Sequence, residues 1–296
     1  MKHIGFVGAS GLMGHGMAKN ILSKGYQLSL TVHQKREPLK DLLDMGAKIV
    51  NDYAALNACD AVIICVTGSP QVEMAIHGPH GILKKPRMGL IIIDASTSEP
   101  DSTRHLEQLC QAQGITLVDA PLARTPVEAE LGKLNTMVGA SQEVFSKVEP
   151  LLKAYCENVF HVGTCTHGHV VKLLNNFLAQ SICTSAAEAF AVGAKAGIDV
   201  NQLVNVVSAG GVNSGLFQAM SKTLSGDYTG LKFELNNATK DLRYFLHLAE
   251  NLKVPVAVGS SVTQSLTTAC AVGFGSELVP SLVKAQEKIN QIKIGN

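Results

Sequence analysis

The sequence predicts an α/β N-terminal domain built on a doubly wound, mostly parallel sheet, then an all-α C-terminal domain, the two joined by one long helix. Three observations carry that expectation. Short apolar strands alternate with amphipathic helical stretches up to about residue 163. Beyond that point strand patterns disappear. Between the two regimes, Gly168 to Ala196 is almost free of breakers and rich in Leu, Ala, Val and Phe, which as a helix is roughly 40 Å long. The expected domains are 1–163 and 164–296.

The first strand, HIGFVG at 3–8, runs into GASGLMG at 8–14, and the helical MAKNILSKG follows. In that setting glycines permit a tight turn, and backbone N–H groups at a helix N-terminus can approach a dinucleotide pyrophosphate. Gly8, Gly11 and Gly14 read GxxGxxG, while the frame ending at Gly14 puts Ala9 where GxGxxG has its first glycine. Gly8, Ala9, Ser10, Gly11, Leu12, Met13 and Gly14 are therefore the candidate pyrophosphate loop of a Rossmann-type domain. The second strand, QLSLTV at 27–32, leads into His33-Gln34-Lys35-Arg36. Sites that prefer NAD place an acid there, about 20 residues past the glycines, to accept from the ribose hydroxyls. None occurs before Glu37, and a basic cluster suits a 2′-phosphate, so NADP(H) is favoured over NAD(H). The alternative is a solvated loop that touches nothing.

The rhythm continues through helical KDLLDMGA, the strand AKIV, and the buried strand DAVIICV at 60–66 with the turn Thr67-Gly68-Ser69-Pro70. GLIIIDAST at 89–97 is a strand, TRHLEQLCQAQG a helix and ITLVDAP at 115–121 a strand; NTMVGA, EVFSKVEPLLKAY and NVFHVG complete the pattern. Ligands bind such sheets at the carboxyl ends of strands, where Ser96, Thr97, Pro121 and Arg124 fall. Val66 and Thr67, at the end of 60–66, join the cofactor candidates. On the long helix Lys172, Asn175 and Asn176 project near one face, which is either the wet flank of an otherwise apolar helix or a site with Lys172 as its catalytic lysine. Asp199 is placed as an N-cap with Gln202 at the third helical position, and LFQAMSKTLSGD, ELNNATKDLRYFLHLAENL, 257–273 and 276–292 carry helical periodicity.

Composition narrows the function. An apolar fraction of 46% and a charged fraction of 17% describe a globular, enzyme-like chain. A net charge of +1 gives no case for nucleic acid or an anionic membrane surface. No apolar run reaches about 18 residues, so no membrane span is expected. The N-terminus shows no signal-peptide layout. Seven scattered cysteines without a CxxC read as reduced packing thiols of a cytoplasmic protein. His167 and His169 lie two apart, but no clustered ligand set accompanies them, and no metal is expected.

Four blocks in order resemble the β-hydroxyacid dehydrogenases, the group containing 3-hydroxyisobutyrate dehydrogenase, tartronate semialdehyde reductase and sulfolactaldehyde reductase. They are MGHGMAKNI at 13–21, DAPLARTPVEAELGKL at 119–134, GTCTHGHVVKLLNN at 163–176 and Lys240-Asp241-Leu242. The family patterns are DAPVSGG for the second and GxxGxGxxxKxxxN for the third. The resemblance implies Lys172 as general acid/base and Asn176 as a substrate-orienting partner with Asn175 nearby. It further implies Thr97 at the nicotinamide ribose, Lys240 on the cofactor side and Asp241 closing the substrate pocket. Ala123-Arg124-Thr125 replaces the Ser-Gly-Gly that holds the substrate carboxylate in the family, and sulfolactaldehyde reductases resemble this chain in an Arg-Thr pair. An arginine there offers a planar fork for a carboxylate, sulfonate or phosphate. The implied activity is hydride transfer between a nicotinamide cofactor and a small anionic β-hydroxy acid or its semialdehyde. A free lysine near pKa 10.4 is a poor base at neutral pH, so such a role requires desolvation or a cationic neighbour, for which Lys240 is the candidate. A homodimer or homotetramer is expected. The alternatives are a catalytically silent dinucleotide-binding scaffold, against which Lys172, Asn176, Lys240 and Asp241 all speak, and an imine reductase, disfavoured because such enzymes usually replace the lysine.

Overall fold

A computed structural model describes residues 1–32 and 37–295. Its contacts divide the chain into Met1–Lys172 and Leu173–Asn296. Among the described residues, the first unit is built on nine strands: β1 (His3–Val7), β2 (Gln27–Thr31), β3 (Lys48–Val50), β4 (Ala61–Ile64), β5 (Ile91–Asp94), β6 (Thr116–Asp119), β7 (Leu122–Ala123), β8 (Leu134–Gly139) and β9 (Cys156–Gly163). Between them run α1 (Leu12–Ser23), α2 (Lys40–Asp44), α3 (Ser69–His77), α4 (Pro100–Gln111), α5 (Pro126–Glu130) and α6 (Gln142–Leu152).

Strand order is β3-β2-β1-β4-β5-β6-β8-β7, with β9 on β8. The first six strands are parallel, and β8 runs antiparallel to β6 and β7. The central strands are apolar throughout because both faces are covered. Ala61, Ile63, Ile91 and Ile93 pack into one core with Ile4, Phe6, Met17 and Ile21. Their neighbours Val62, Ile64 and Ile92 point to the other face, where they meet Val7, Val72 and Leu106. The order reverses between β1 and β4, so the loops after those strands flank a crevice of the kind that receives dinucleotides.

α7 (His167–Lys195) carries the chain from the first unit into the second, which holds α8 (Val200–Ser208), α9 (Gly215–Ser221), α10 (Leu235–Asn251), α11 (Ala257–Ala269) and α12 (Leu282–Asn290). Leu173, Cys183, Ala187 and Phe190 of α7 bury against Phe217, Leu242, Phe245, Leu266 and Val283. Phe177 stacks on Phe245 with centroids 4.4 Å apart. Averaged over an 18-residue window, α7 reaches a mean hydropathy of 1.2 and is long and apolar enough to cross a bilayer. The second core covers much of it: 44% of that window is buried. Asp199 caps α8 as expected, accepting from the Asn201 N–H at 2.9 Å. The predicted helix over 276–292 begins only at Leu282, after a tighter turn over Val279–Ser281 in which Pro280 has no N–H to donate.

Candidate active site

The glycine loop leaves no choice of residue at two of its positions. Gly8 has φ +93°, and a Cβ there would stand 2.0 Å from the Cys65 carbonyl oxygen. A Cβ on Gly14 would stand 2.2 Å from the Gly8 carbonyl oxygen. Gly11 is the N-cap of α1 and supplies no side-chain cap, and the first turn holds no acid, so its N–H groups suit an anion. Ala9 is buried, while Ser10, Gly11 and Leu12 are exposed at the mouth of the loop and Met13 is half-buried. This cradle fits a dinucleotide pyrophosphate. His33, Gln34, Lys35 and Arg36 lie outside the described residues.

On the other side of the strand-order switch, Val66 and Thr67 follow β4. The Val66 N–H donates to Ser96 Oγ at 3.0 Å, tying that loop to the one after β5. Ser96 is buried and Thr97 half-buried. The Ser96 N–H in turn donates to Asp94 Oδ1 at 2.9 Å. The loops after β1, β4 and β5 thus lie together along the carboxyl edge of the sheet.

The loop after β6 differs from its expected form in an informative way. Ala123 belongs to the short β7, paired with Asn135 of β8. Arg124 has φ +80°, a backbone conformation that L side chains avoid and glycine adopts freely. The family's glycine at this place therefore has a physical cause. Arg124 Nη1 donates to Glu157 Oε2 and to the Lys133 carbonyl, both at 2.5 Å. Its guanidinium already holds a carboxylate. Thr125 is the N-cap of α5 in a reciprocal box with Glu128: its oxygen accepts from the Val127 N–H and its own N–H donates to Glu128 Oε2 at 3.0 Å.

On α7 Lys172 is half-buried, and four residues on Asn176 is buried at 6% exposure. Asn176 Nδ2 donates to Asp241 Oδ2 at 2.6 Å, and Asn175 Nδ2 donates to Asn176 Oδ1 at 3.2 Å. Lys240 Nζ lies 3.1 Å from Asp241 Oδ1 and 5.2 Å from the centre of the Tyr244 ring. A carboxylate that is 2% exposed is tolerable only because an amide and an ammonium serve it. The structure therefore gathers Asn175, Asn176, Lys240 and Asp241 into one polar set within the second unit.

Sequence reasoning missed one group of residues. Asp119, fully buried at the end of β6, accepts from the Thr166 N–H and from the His169 N–H, each at 2.8 Å. Burial raises the pKa of its carboxyl group, an effect opposed by His169 and those two N–H groups. His169, whose position beside His167 raised the question of a metal, is itself fully buried next to Thr103 and Asp94. Asp119 stood inside a quoted motif; that a helix 47 residues later needed it was the missing signal.

A family model for the NAD-binding domain of 6-phosphogluconate dehydrogenase matches residues 3–163. A second, for the NAD-binding region of NADP-dependent 3-hydroxyisobutyrate dehydrogenase, matches 166–285. The chain is 31% identical over 300 residues to 2-(hydroxymethyl)glutarate dehydrogenase of Eubacterium barkeri, covering 98% of this chain and 97% of that one. It is 29% identical to 3-sulfolactaldehyde reductase of Escherichia coli, covering 94% and 93%. Among solved structures it resembles a 3-hydroxyisobutyrate dehydrogenase from Salmonella typhimurium, with a TM-score of 0.82, 27% identity and coverage of 96% and 99%. Matched along nearly its whole length, the chain belongs to the β-hydroxyacid dehydrogenase family of nicotinamide-dinucleotide-dependent oxidoreductases.

Proposed function

We propose that this enzyme interconverts a small acidic β-hydroxy acid and its semialdehyde, with Lys172 as the general acid/base. The observation that carries the reading is the polar set on and around α7: a half-buried Lys172, with Asn176 one turn on held by the buried Asp241. When bound, the nicotinamide supplies the acceptor or donor of hydride. The chain's own work is then to move one proton at the substrate oxygen. In oxidation neutral Lys172 takes the hydroxyl proton; in reduction its ammonium gives that proton to the carbonyl oxygen. Asn176, fixed by Asp241, orients the same oxygen, and Asn175 and Asp241 complete the substrate side. The pyrophosphate is assigned to residues 8–14, and Val66, Thr67, Ser96, Thr97 and Lys240 are assigned to cofactor binding. A purified-protein screen of 2-(hydroxymethyl)glutarate, 3-hydroxyisobutyrate and L-threonate with both cofactors tests the activity. Absence of turnover on these and on other three- to six-carbon hydroxy acids would sink it.

NADP(H) is the proposed cofactor, on the strength of His33, Lys35 and Arg36 and the absence of any acid from 31 to 36. Fluorescence titration with both reduced cofactors is expected to show tighter binding of NADPH. Equal or tighter binding of NADH refutes the preference.

Arg124 is proposed to read the substrate's anionic group. Its present partner does not stand in the way: Arg124 and Glu157 side chains are 31% and 47% exposed, and such pairs contribute about 0–1 kcal/mol. A substrate anion in a drier site is worth roughly 1.5–3 kcal/mol, about 10- to 150-fold in binding. The exchange of partner is therefore downhill. Arg124→Ala is expected to raise KM for an acidic substrate by that factor and to leave its uncharged analogue nearly untouched, with Arg124→Lys recovering part. An equal loss on both substrates would mean that Arg124 only supports its loop.

A further inference from the structure

The first turn of α7 is held by groups that the reaction itself does not use. Asp119 takes two of its N–H groups. The backbone is pressed against the sheet so closely that a Cβ on Gly168 would stand 2.4 Å from the Met137 carbonyl oxygen. A Cβ on Gly139 of β8 would stand 2.2 Å from Asp119 Oδ1. On the same turn the His169 ring is sealed in. Thr103 Oγ1 donates to the Glu99 carbonyl at 3.1 Å, so its hydrogen is spent, and it accepts from His169 Nδ1 at 2.8 Å. His169 Nε2 then faces Asp94 Oδ2 at 3.6 Å and has no hydrogen-bond partner among the described residues. Nδ1 stands 3.8 Å from Asp119 Oδ2. Asp94 is the same residue that accepts from Ser96, whose hydroxyl holds Val66. The turn of α7 that precedes Lys172 thus packs its buried ring beside the Asp94 carboxylate, which also anchors the loop after β5.

We propose that Asp119 and His169 are positioning residues for Lys172, clamping the first turn of α7 onto the ends of β5 and β6. The inference rests on the reading of Lys172 as acid/base. The ring is fixed between two buried carboxylates, with Nδ1 bonded to Thr103 Oγ1. The titratable groups facing it are Asp94 from β5 and Asp119 from β6, with the Cys165 thiol, pushed far up by burial, beside Asp119. Lys172 lies three residues beyond His169, the next position on that helix face. The clamp therefore fixes where the lysine side chain begins.

Wild type, His169→Gln, Lys172→Ala and the double variant are compared, full length, between pH 5 and 10. The substrate is whichever of 2-(hydroxymethyl)glutarate, 3-hydroxyisobutyrate and L-threonate the wild type oxidises fastest. His169→Gln is expected to lower kcat about 10- to 100-fold, the scale of a reacting group misplaced by about 1 Å, with cofactor affinity within about twofold. In the Lys172→Ala background the same change should lower the residual rate little further. An unchanged kcat with only a lowered Tm overturns the proposal, as does an equal loss in both backgrounds. Failure of the underlying reading shows separately, as Lys172→Ala retaining a tenth or more of the activity. Should His169→Gln not fold, Thr103→Val removes the ring's Nδ1 partner at nearly constant shape, and the same readouts decide.

Discussion

Lys172→Ala is expected to lower kcat by about 10²- to 10⁴-fold, the usual contribution of a positioned acid or base. The effect is specific to proton transfer, so reduced-cofactor binding, followed by fluorescence, should change little. Asn176 keeps its 2.6 Å bond to Asp241 in that variant, so the neighbouring amide remains in place. Lys172→Arg distinguishes charge from proton transfer. A guanidinium retains the cation but does not deprotonate in proteins, so it should rescue neither direction of the reaction. Retention of a tenth of wild-type kcat by the alanine variant would show that another group carries the proton.

The second large effect concerns Asp241. Its carboxylate is 2% exposed, accepts from Asn176 and lies 3.1 Å from the Lys240 ammonium. Asp241→Ala withdraws the counter-charge from a lysine side chain that is 15% exposed and the acceptor from a buried amide. Removing the acceptor leaves the buried Asn176 amide unsatisfied, at a cost of about 1–3 kcal/mol. Denaturant unfolding should register that loss, and kcat should fall as Asn176 loses its anchor. Asp241→Asn, which keeps an acceptor for Asn176, should recover part of both. A loss below about 1 kcal/mol for the alanine variant would mean that water or a rearranged side chain replaces the carboxylate.

The sheet was legible because its chemistry is local. A strand covered on both faces must be apolar at every position, and VIIC or IIID in a row has few other uses. The glycine loop was legible for a similar reason, since only glycine survives where Gly8 and Gly14 sit. Lys172, Asn176 and Asp241 were readable from sequence blocks, but the bond joining Asn176 to Asp241 spans 65 residues and no periodicity announces it. α3 was hidden because Ser69-Pro70 reads as a turn, although proline in a first helical turn sacrifices no helix bond. Asp94, Asp119 and His169 were the least visible. Each alone is an ordinary polar residue beside a strand or in a helix, and only the fold brings them within 4 Å.

The left-handed backbone at Arg124 bears on how this family diversifies. Holding a non-glycine residue at φ +80° costs roughly 1–2 kcal/mol. Restoring glycine would relieve that strain, but would return about 0.4–1 kcal/mol of freedom to the unfolded chain and forfeit an exposed ion pair worth at most about 1. The sum is close to zero. Position 124 is therefore nearly neutral for folding, and exchange between glycine and arginine there is open to drift at little risk to the scaffold. If Arg124 reads the substrate anion as proposed, what fixes the residue is the anion available to the cell, and lineages of this fold can change substrate at that single codon without first acquiring a stabilising mutation elsewhere.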